Sequence, residues 1–324
     1  MKHTYKKWII IFFLIVFSSY LLILFMFIIV DPKMIFNKSM TNKKFEYTPY
    51  YSKYQYEKLK YNKYTLLFGT SRSQKVSTRE LNIPLLNFHN IYGEPDSVYN
   101  FLSQLDRNQI KNIKHIYYLI SIDTMRDSGL KINYKKNSFL DKIIYSLPLQ
   151  SSTIKSILRD IKYNLFPSTI FYNIDNDGSL LVKDKSQSSI LNRKIIVSSS
   201  IEKIKLTKSI QTLLEINQFC VNNNISITYY TPTFSDKYIL HKDTVEFLWT
   251  VLLDGGLKGF YATYYIDNFS NNCNNNMYYN FTDETHLNYI SMNKVFKSIV
   301  LSKDQSKYIN NTFELKNLLK NYEK

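Results

Sequence analysis

The feature that most constrains this chain is an apolar run near its amino terminus, from Trp8 to Val30, which contains no charged residue. About 20 apolar residues in a helix span the hydrocarbon core of a bilayer, so this run is long enough to be a transmembrane anchor. A cleavable signal peptide has a shorter apolar region, of about 7–15 residues, followed by a small-residue cleavage site. Here the run leads instead into Asp31-Pro32-Lys33. The sequence therefore favours an uncleaved anchor within residues 1–31.

The charges that flank the anchor indicate its orientation. Lys2, Lys6 and Lys7 precede the apolar run, and the positive-inside rule then places the amino terminus in the cytoplasm. Lysines on the far side, such as Lys33 and Lys38, reduce the asymmetry. We predict a single-pass protein of the cell membrane whose remaining chain is extracytoplasmic, either periplasmic or extracellular.

The chain carries a net charge of +16, with 42 basic and 26 acidic residues. Such a charge suits an anionic partner, for example phospholipid headgroups or an anionic glycan, but it also follows from a compositional bias towards Lys, Asn and Tyr. The charges are scattered and no nucleic-acid-binding module accompanies them, so nucleic acid is not an expected partner. The membrane is the partner that the sequence itself indicates.

Beyond the anchor, the sequence divides into a linker and a body. Residues 32–58 are polar, rich in Tyr and Lys and weakly periodic, which is typical of a stalk. Residues 59–324 form the predicted body, interrupted at about 125–200 by an insertion in which helices are predicted over 139–147 and 153–165. The insertion is either a lid or cap beside the site, or a cover for one face of the body.

Short apolar runs alternate with helical periodicity along the body, which predicts an α/β fold. A parallel sheet covered by helices on both faces is the arrangement expected for such alternation, giving three layers, α/β/α, after the transmembrane helix. The predicted strands are Tyr64–Phe68, Leu85–Phe88, His115–Ile122, Ile225–Tyr230 and Tyr261–Ile266, and the predicted helices begin near Ser97, Ile201, Val245 and Tyr289, with a short capped turn at Ser77.

Polar or small residues follow each predicted strand at its carboxyl end, where sites collect in parallel sheets. These residues are Ser71, Gly93, Asp123, Thr231 and Asp267. Ser71 follows the first strand in Leu66-Leu67-Phe68-Gly69-Thr70-Ser71, where the glycine permits a tight turn that directs the serine outward.

A serine becomes a nucleophile when a base accepts its proton, and a histidine serves as that base when a carboxylate fixes its tautomer. Among the five histidines, His286 follows Asp283 by three residues, a spacing that places both side chains on one turn. His89 has no such companion. We therefore predict Ser71 as nucleophile, His286 as base and Asp283 as the carboxylate that orients it.

The Gly69-Thr70-Ser71 turn, Gly93 after the second strand and Asp283-x-x-His286 before the last helix together resemble the SGNH (GDSL-like) hydrolase and acyltransferase superfamily. The resemblance is closest to its membrane-anchored cell-envelope branch, which includes DltD and the alginate O-acetyltransferases, and it extends from Tyr64 to about Ser302. It implies an SGNH, flavodoxin-like fold and an oxyanion hole formed by the backbone N–H groups of Ser71 and Gly93. One such donor contributes about 2.7–4 kcal/mol in other enzymes.

Two positions depart from the family pattern. Thr70 replaces the usual aspartate, and Asp123 stands where the third block has an asparagine that donates to the oxyanion. A carboxylate there repels developing negative charge. Arg72 either holds an anionic substrate or the oxyanion, or pairs with Asp123.

The resemblance implies a serine esterase or O-acyltransferase that acts on an envelope polysaccharide or acylated carbohydrate without metal or cofactor, with a membrane-bound O-acyltransferase as a candidate partner. Whether water or a sugar hydroxyl accepts the acyl group stays open. The alternative is an inactive SGNH-like scaffold that binds glycan or the acyltransferase. Cys220 and Cys273 are too few for the usual zinc spacing, and a disulfide between them is an open alternative to a buried, unpaired Cys220.

Overall fold

The protein is described by a computed structural model that covers residues 2–30, 51–91, 93–125, 131–135, 155, 157–158, 161–162, 172–174, 177, 179–182, 196–197, 203–235, 238–239, 241–264, 286–301 and 308–320. The chain forms two compact units. Unit 1 consists of Met1–Tyr51 and Lys135–Ile174, and unit 2 of Ser52–Tyr134 and Asp175–Lys324.

Unit 1 contains the amino-terminal helix α1 (Lys2–Val30) and strand β4 (Tyr172–Ile174). Helix α1 is long and apolar enough to cross a membrane, and most of its apolar side chains are exposed. Near its end, Phe27 and Val30 pack with Ile157 in a small hydrophobic cluster.

Unit 2 is built on a six-stranded sheet with the strand order β2-β1-β3-β7-β9-β10. Its strands are β1 (Tyr64–Phe68), β2 (Leu85–Asn87), β3 (Ile113–Leu119), β7 (Ile227–Tyr230), β9 (Phe260–Tyr261) and β10 (Tyr308–Ile309). All neighbouring strands are parallel except β10, which runs antiparallel to β9. Strands outside this sheet are β5 (Leu180–Val182) and a parallel pair formed by β6 (Ile196–Val197) and β8 (Tyr238–Ile239).

The helices that follow α1 are α2 (Tyr51–Lys58), α3 (Thr78–Leu81), α4 (Pro95–Leu102), α5 (Arg107–Lys111), α6 (Lys203–Asn222), α7 (Lys242–Asp254), α8 (Tyr289–Val300) and α9 (Thr312–Lys320). Two 3₁₀ turns, His89–Ile91 and Ile122–Thr124, lie after β2 and β3.

Both faces of the sheet are buried, because alternate residues of β1 belong to different hydrophobic clusters. Leu66 and Phe68 pack in the larger cluster, which also contains Trp249 of α7. Leu67 packs in a second cluster, with Phe296 of α8. Successive side chains of a strand point to opposite faces, so a continuous apolar run such as β1 is what a sheet covered on both sides requires.

The mixed α/β class and the mostly parallel sheet confirm the coarse prediction, and the bounds differ where local chemistry intervenes. Strand β1 has the predicted bounds, and Ser77 caps α3 by accepting a hydrogen bond from Arg79 N. Helix α4 begins earlier than predicted, at Pro95, because proline suits the first helical position. Its periodicity breaks before Asp106, which starts α5 with a capping box. The predicted all-parallel arrangement lacked β10, which pairs antiparallel at the edge.

The predicted stalk extended to Lys58, whereas the structure places Ser52–Lys58 in unit 2. Gln55 donates from Nε2 to the carbonyl oxygen of Asn87 at 2.8 Å, and the Tyr56 ring packs edge-on against Phe101. Helix α2 is therefore part of the folded body.

Several predictions fall outside the described residues. These are the stalk up to residue 50, the helix over 139–147, most of the helix over 153–165, Asp267, Cys273 and Asp283. Cys220 is a free, buried cysteine of α6, and burial raises the pKa of its thiol to about 12.

Burial lowers the pKa of His89, in the turn after β2, to about 3. Below its ordinary pKa of about 6.5, the unfolded chain binds a proton that folded His89 does not. We therefore expect the free energy of unfolding to fall by about 1.4 kcal/mol per pH unit as the pH drops from about 6.5 towards 3, from this residue alone. Denaturant titrations of the full-length protein in detergent between pH 4 and 7 measure this slope. His89→Gln should reduce this slope. If the free energies of unfolding of the two proteins depended on pH in parallel, the lowered pKa of His89 would be refuted.

Candidate functional site

The turn that carries Ser71 follows β1 directly. It is closed by a hydrogen bond from Ser73 N to Thr70 O at 2.9 Å. Gly69 leaves no space for a side chain, because an added Cβ would overlap Ser73 and approach Leu119 Cβ to 3.2 Å. The glycine is therefore required by close packing between the turn and the end of β3.

Ser71 and His286 are in hydrogen-bonding contact, although 215 residues separate them. Ser71 Oγ lies 2.7 Å from His286 Nε2, at an exposed position at the carboxyl end of β1. His286 lies just before α8, whose first turn is capped by Asn288 through a hydrogen bond from Ser291 N at 2.8 Å. In the tautomer with the proton on Nδ1, the serine hydroxyl donates to Nε2, which is the geometry of a general base and its nucleophile.

Two side chains connect the segment after Ser71 with the segment that carries His286. Lys75 Nζ donates to the carbonyl oxygen of Leu287 at 3.0 Å. Asn293, on α8, accepts from Ser77 N at 3.0 Å and donates from Nδ2 to the carbonyl oxygen of Lys75 at 2.9 Å. These bonds fix the nucleophile's turn and the histidine's segment relative to each other.

Asn87, the last residue of β2, supports the same turn from the other side. Its Nδ2 donates to the carbonyl oxygens of Ser73 and Val76, at 2.8 and 3.0 Å, and its Oδ1 accepts from His89 N. The side chain is fully buried, so it supplies the partners that water would otherwise provide for these backbone groups.

Gly93 packs directly against the start of the serine turn. It has a φ of +63°, and an added Cβ would lie within 2.7–2.9 Å of backbone atoms of Gly69. Its carbonyl oxygen accepts a hydrogen bond from Tyr118 Oη at 2.8 Å, which fixes the peptide that follows it. Both the backbone conformation and the contact with Gly69 require glycine at this position.

The Arg72 guanidinium pairs with Asp123 rather than extending freely from the turn. Its Nη2 lies 2.7 Å from Asp123 Oδ2, and its Nη1 donates to Ser121 Oγ at 2.8 Å. The guanidinium carbon lies 5.0 Å from the centre of the Phe234 ring, within cation–π range. Arg72 Nε is buried and has no hydrogen-bond partner among the described residues. Of the two roles left open by the sequence, pairing with Asp123 is present in this structure.

A small cavity lies beside the turn, bounded by Arg72 and Leu287, the residues that follow Ser71 and His286, and by apolar side chains such as Met292 of α8. It has about 20 Å³ of space, which accommodates about one water-sized group.

The structure thus brings Ser71 and His286 together, pairs Arg72 with Asp123 and packs Gly93 on the serine turn, whereas Asp283 lies outside the described residues. Within the described part of the chain, no group of three or more His, Cys, Asp or Glu side chains could hold a metal ion.

Sequence reasoning missed the residues that support these groups, namely Lys75, Asn87, Asn293, Ser121 and Phe234. No pattern marks them, because each acts through contacts with residues distant in sequence. Ser121, two residues before Asp123, and Lys75, three residues after Arg72, lay near predicted site residues.

No protein-family model matches the sequence, and none of the curated proteins compared with it does. The fold and the site define a class, namely a mixed α/β protein with an apolar amino-terminal helix and a Ser–His contact at the carboxyl edge of a mostly parallel sheet.

The close packing of Gly93 predicts the effect of adding one methyl group. Gly93→Ala should cost about 1–2 kcal/mol for its left-handed backbone. The contact with Gly69 should add about 1–3 kcal/mol. Gly256→Ala is the matched control, because Gly256 also has a positive φ, of +96°, but no described atom lies within 4 Å of an added Cβ. Chemical denaturation should give the larger loss for Gly93→Ala, and equal losses would contradict the close contact.

Proposed function

We propose that this protein is a membrane-anchored serine esterase or O-acyltransferase that acts on a cell-envelope polysaccharide. The observation that carries the proposal is the 2.7 Å contact between Ser71 Oγ and His286 Nε2 at the carboxyl edge of the sheet. Strand ends in parallel sheets are where α/β proteins place their sites.

In the proposed reaction, His286 Nε2 accepts the Ser71 proton while Oγ attacks the ester carbonyl carbon of the substrate. The tetrahedral oxyanion is stabilised by the backbone N–H groups of Ser71 and Gly93. The imidazolium then returns the proton to the departing sugar oxygen, which leaves an acyl-serine. Water or a sugar hydroxyl, deprotonated by His286, then attacks the acyl-serine carbonyl carbon. The bond to Oγ breaks, the imidazolium returns its proton to Ser71 Oγ, and a carboxylic acid or a new sugar ester is released. Asp283 takes the orienting role in this scheme by the SGNH resemblance.

The SGNH-like three-layer architecture is part of the proposal. It is supported by the two hydrophobic clusters on opposite faces of β1 and by helices such as α7 and α8, which contribute to different clusters. The order of the chemical groups along the chain also agrees with the SGNH pattern, because the serine follows the first strand of the sheet and the histidine precedes a late helix.

The location and partners follow from the anchor and the resemblance. We infer a single-pass protein with a cytoplasmic amino terminus and an extracytoplasmic catalytic body, supported by the length and apolar character of α1. An envelope glycan or acylated carbohydrate is the proposed substrate, and a membrane-bound O-acyltransferase the proposed partner.

The second candidate function is an inactive scaffold of the same fold that binds glycan or the acyltransferase partner. The observation that favours it is Asp123, because a carboxylate replaces a hydrogen-bond donor where the family stabilises the oxyanion. The Arg72 guanidinium, 2.7 Å from Asp123, offsets part of that negative charge, and this favours the enzyme.

Reaction with an alkyl fluorophosphonate tests the proposal. Ser71 Oγ displaces fluoride from phosphorus only if a base activates it, so we expect labelling of the full-length protein in detergent. Labelling should be lost in Ser71→Ala and fall at least about 100-fold in His286→Gln, in line with the contribution of general bases. In-gel fluorescence and mass spectrometry of the labelled peptide provide the measurement.

Ser103→Ala is the matched control, because Ser103 is an exposed serine at the end of α4 and takes no part in the proposed reaction. This variant should label like the wild type. A folded wild-type protein that does not label, or one that labels equally in Ser71→Ala, would exclude the enzyme and leave the scaffold.

A further inference from the structure

We propose that Lys75 is a positioning residue that sets the distance between Ser71 and His286. The inference rests on the proposed function and concerns a residue that takes no part in the chemistry itself. Lys75 would act through the backbone of Leu287, the residue that follows the histidine.

The burial of Lys75 is the first observation. The residue is 3% exposed, and among the described residues it is the only buried lysine or arginine in a chain with 42 of them. Lysine is almost never fully buried unless it is paired, because removing an ammonium group from water is costly. An apolar side chain of similar length would fill this position without that cost, so the contribution of Lys75 lies in what its ammonium group binds.

A described partner of the ammonium group is the second observation. Lys75 Nζ donates to Leu287 O at 3.0 Å, which anchors the backbone between His286 and the capped start of α8. The cap at Asn288 holds the following residue. The backbone next to the histidine is therefore held on its carboxyl side by two consecutive residues, and the position of the ring relative to that backbone depends on its own torsion angles.

The third observation is that Lys75 is itself held in place. Its carbonyl oxygen accepts from Asn293 Nδ2, and the carbonyl oxygens of Ser73 and Val76 on either side accept from Asn87. The segment from Ser71 to Lys75 thus forms a rigid connection. It joins the nucleophile to the lysine that binds the backbone next to His286. Displacement of a catalytic group by about 1 Å costs about 10²-fold in rate, so such a connection has a measurable effect.

The experiment compares Lys75→Met, which keeps the apolar stem and removes the donor, with Lys75→Arg, which keeps a charged donor. Lys294→Met, on the exposed side of α8, is the matched control. The readouts are kcat and KM for p-nitrophenyl acetate and the rate of fluorophosphonate labelling, with thermal unfolding in parallel. We expect Lys75→Met to lower kcat and the labelling rate about 10- to 100-fold with KM within about twofold, Lys75→Arg to recover part of the loss, and Lys294→Met to match the wild type.

Unchanged kcat and labelling in a folded Lys75→Met protein would overturn the inference, as would a loss that Lys75→Arg does not reduce at all. If Lys75→Met does not fold, Lys75→Gln replaces it, because its amide nitrogen ends one atom short of Nζ and loosens the bond to Leu287. If the wild type shows no Ser71-dependent reaction, the proposed function fails. A crystal structure of the Lys75→Met protein then tests the positioning role of Lys75 independently of activity. A Ser71 Oγ–His286 Nε2 distance beyond 3.5 Å supports it, and a distance unchanged at 2.7 Å refutes it.

Discussion

The hydrogen bonds between the segment after Ser71 and the segment around His286 are the constraint on which the site depends. Both segments lie outside the strands of the six-stranded sheet, so their buried backbone groups need side-chain partners. Lys75, Asn87 and Asn293 provide them. Each bond contributes only about 0.5–1.5 kcal/mol net, whereas a buried group left without a partner costs about 1–3 kcal/mol. The network therefore specifies one relative placement of serine and histidine more strongly than it stabilises the fold.

The pairing of Arg72 with Asp123 addresses the main chemical objection to an oxyanion at Ser71. Asp123 is 44% exposed and Arg72 is 12% exposed, so the pair adds at most about 1 kcal/mol to stability. Its effect is on the local electric field, because the guanidinium of the serine turn pairs with the carboxylate of Asp123 after β3 and reduces the net negative charge there. Ser121 and the Phe234 ring hold the guanidinium in that position. The carboxylate of Asp123, which the SGNH resemblance places where a donor is expected, is thus accompanied by a compensating cation.

The sheet and its helices could be predicted from the sequence where burial is continuous. The apolar run of β1 and the helical spacing of α6 and α8 are local patterns, and both were recognised. The helix α2 was not, because its Tyr and Lys content resembles a linker and its burial depends on contacts such as that between Gln55 and Asn87. Strand β10 is only two residues long, and its antiparallel pairing with β9 depends on tertiary contacts that leave no period in the sequence.

By itself, the sequence determined that the chain has an apolar anchor-like helix, an α/β body and a serine that follows a buried strand, because these features follow from local periodicity and run length. It also identified His286 as the histidine to test, through its spacing from Asp283. Only the tertiary structure decided that Ser71 and His286 come within 2.7 Å, that Arg72 turns to Asp123 and that a buried lysine supports the histidine's segment. Those outcomes depend on contacts between residues distant in the chain, and the direction of a side chain after a turn is set by what packs against it.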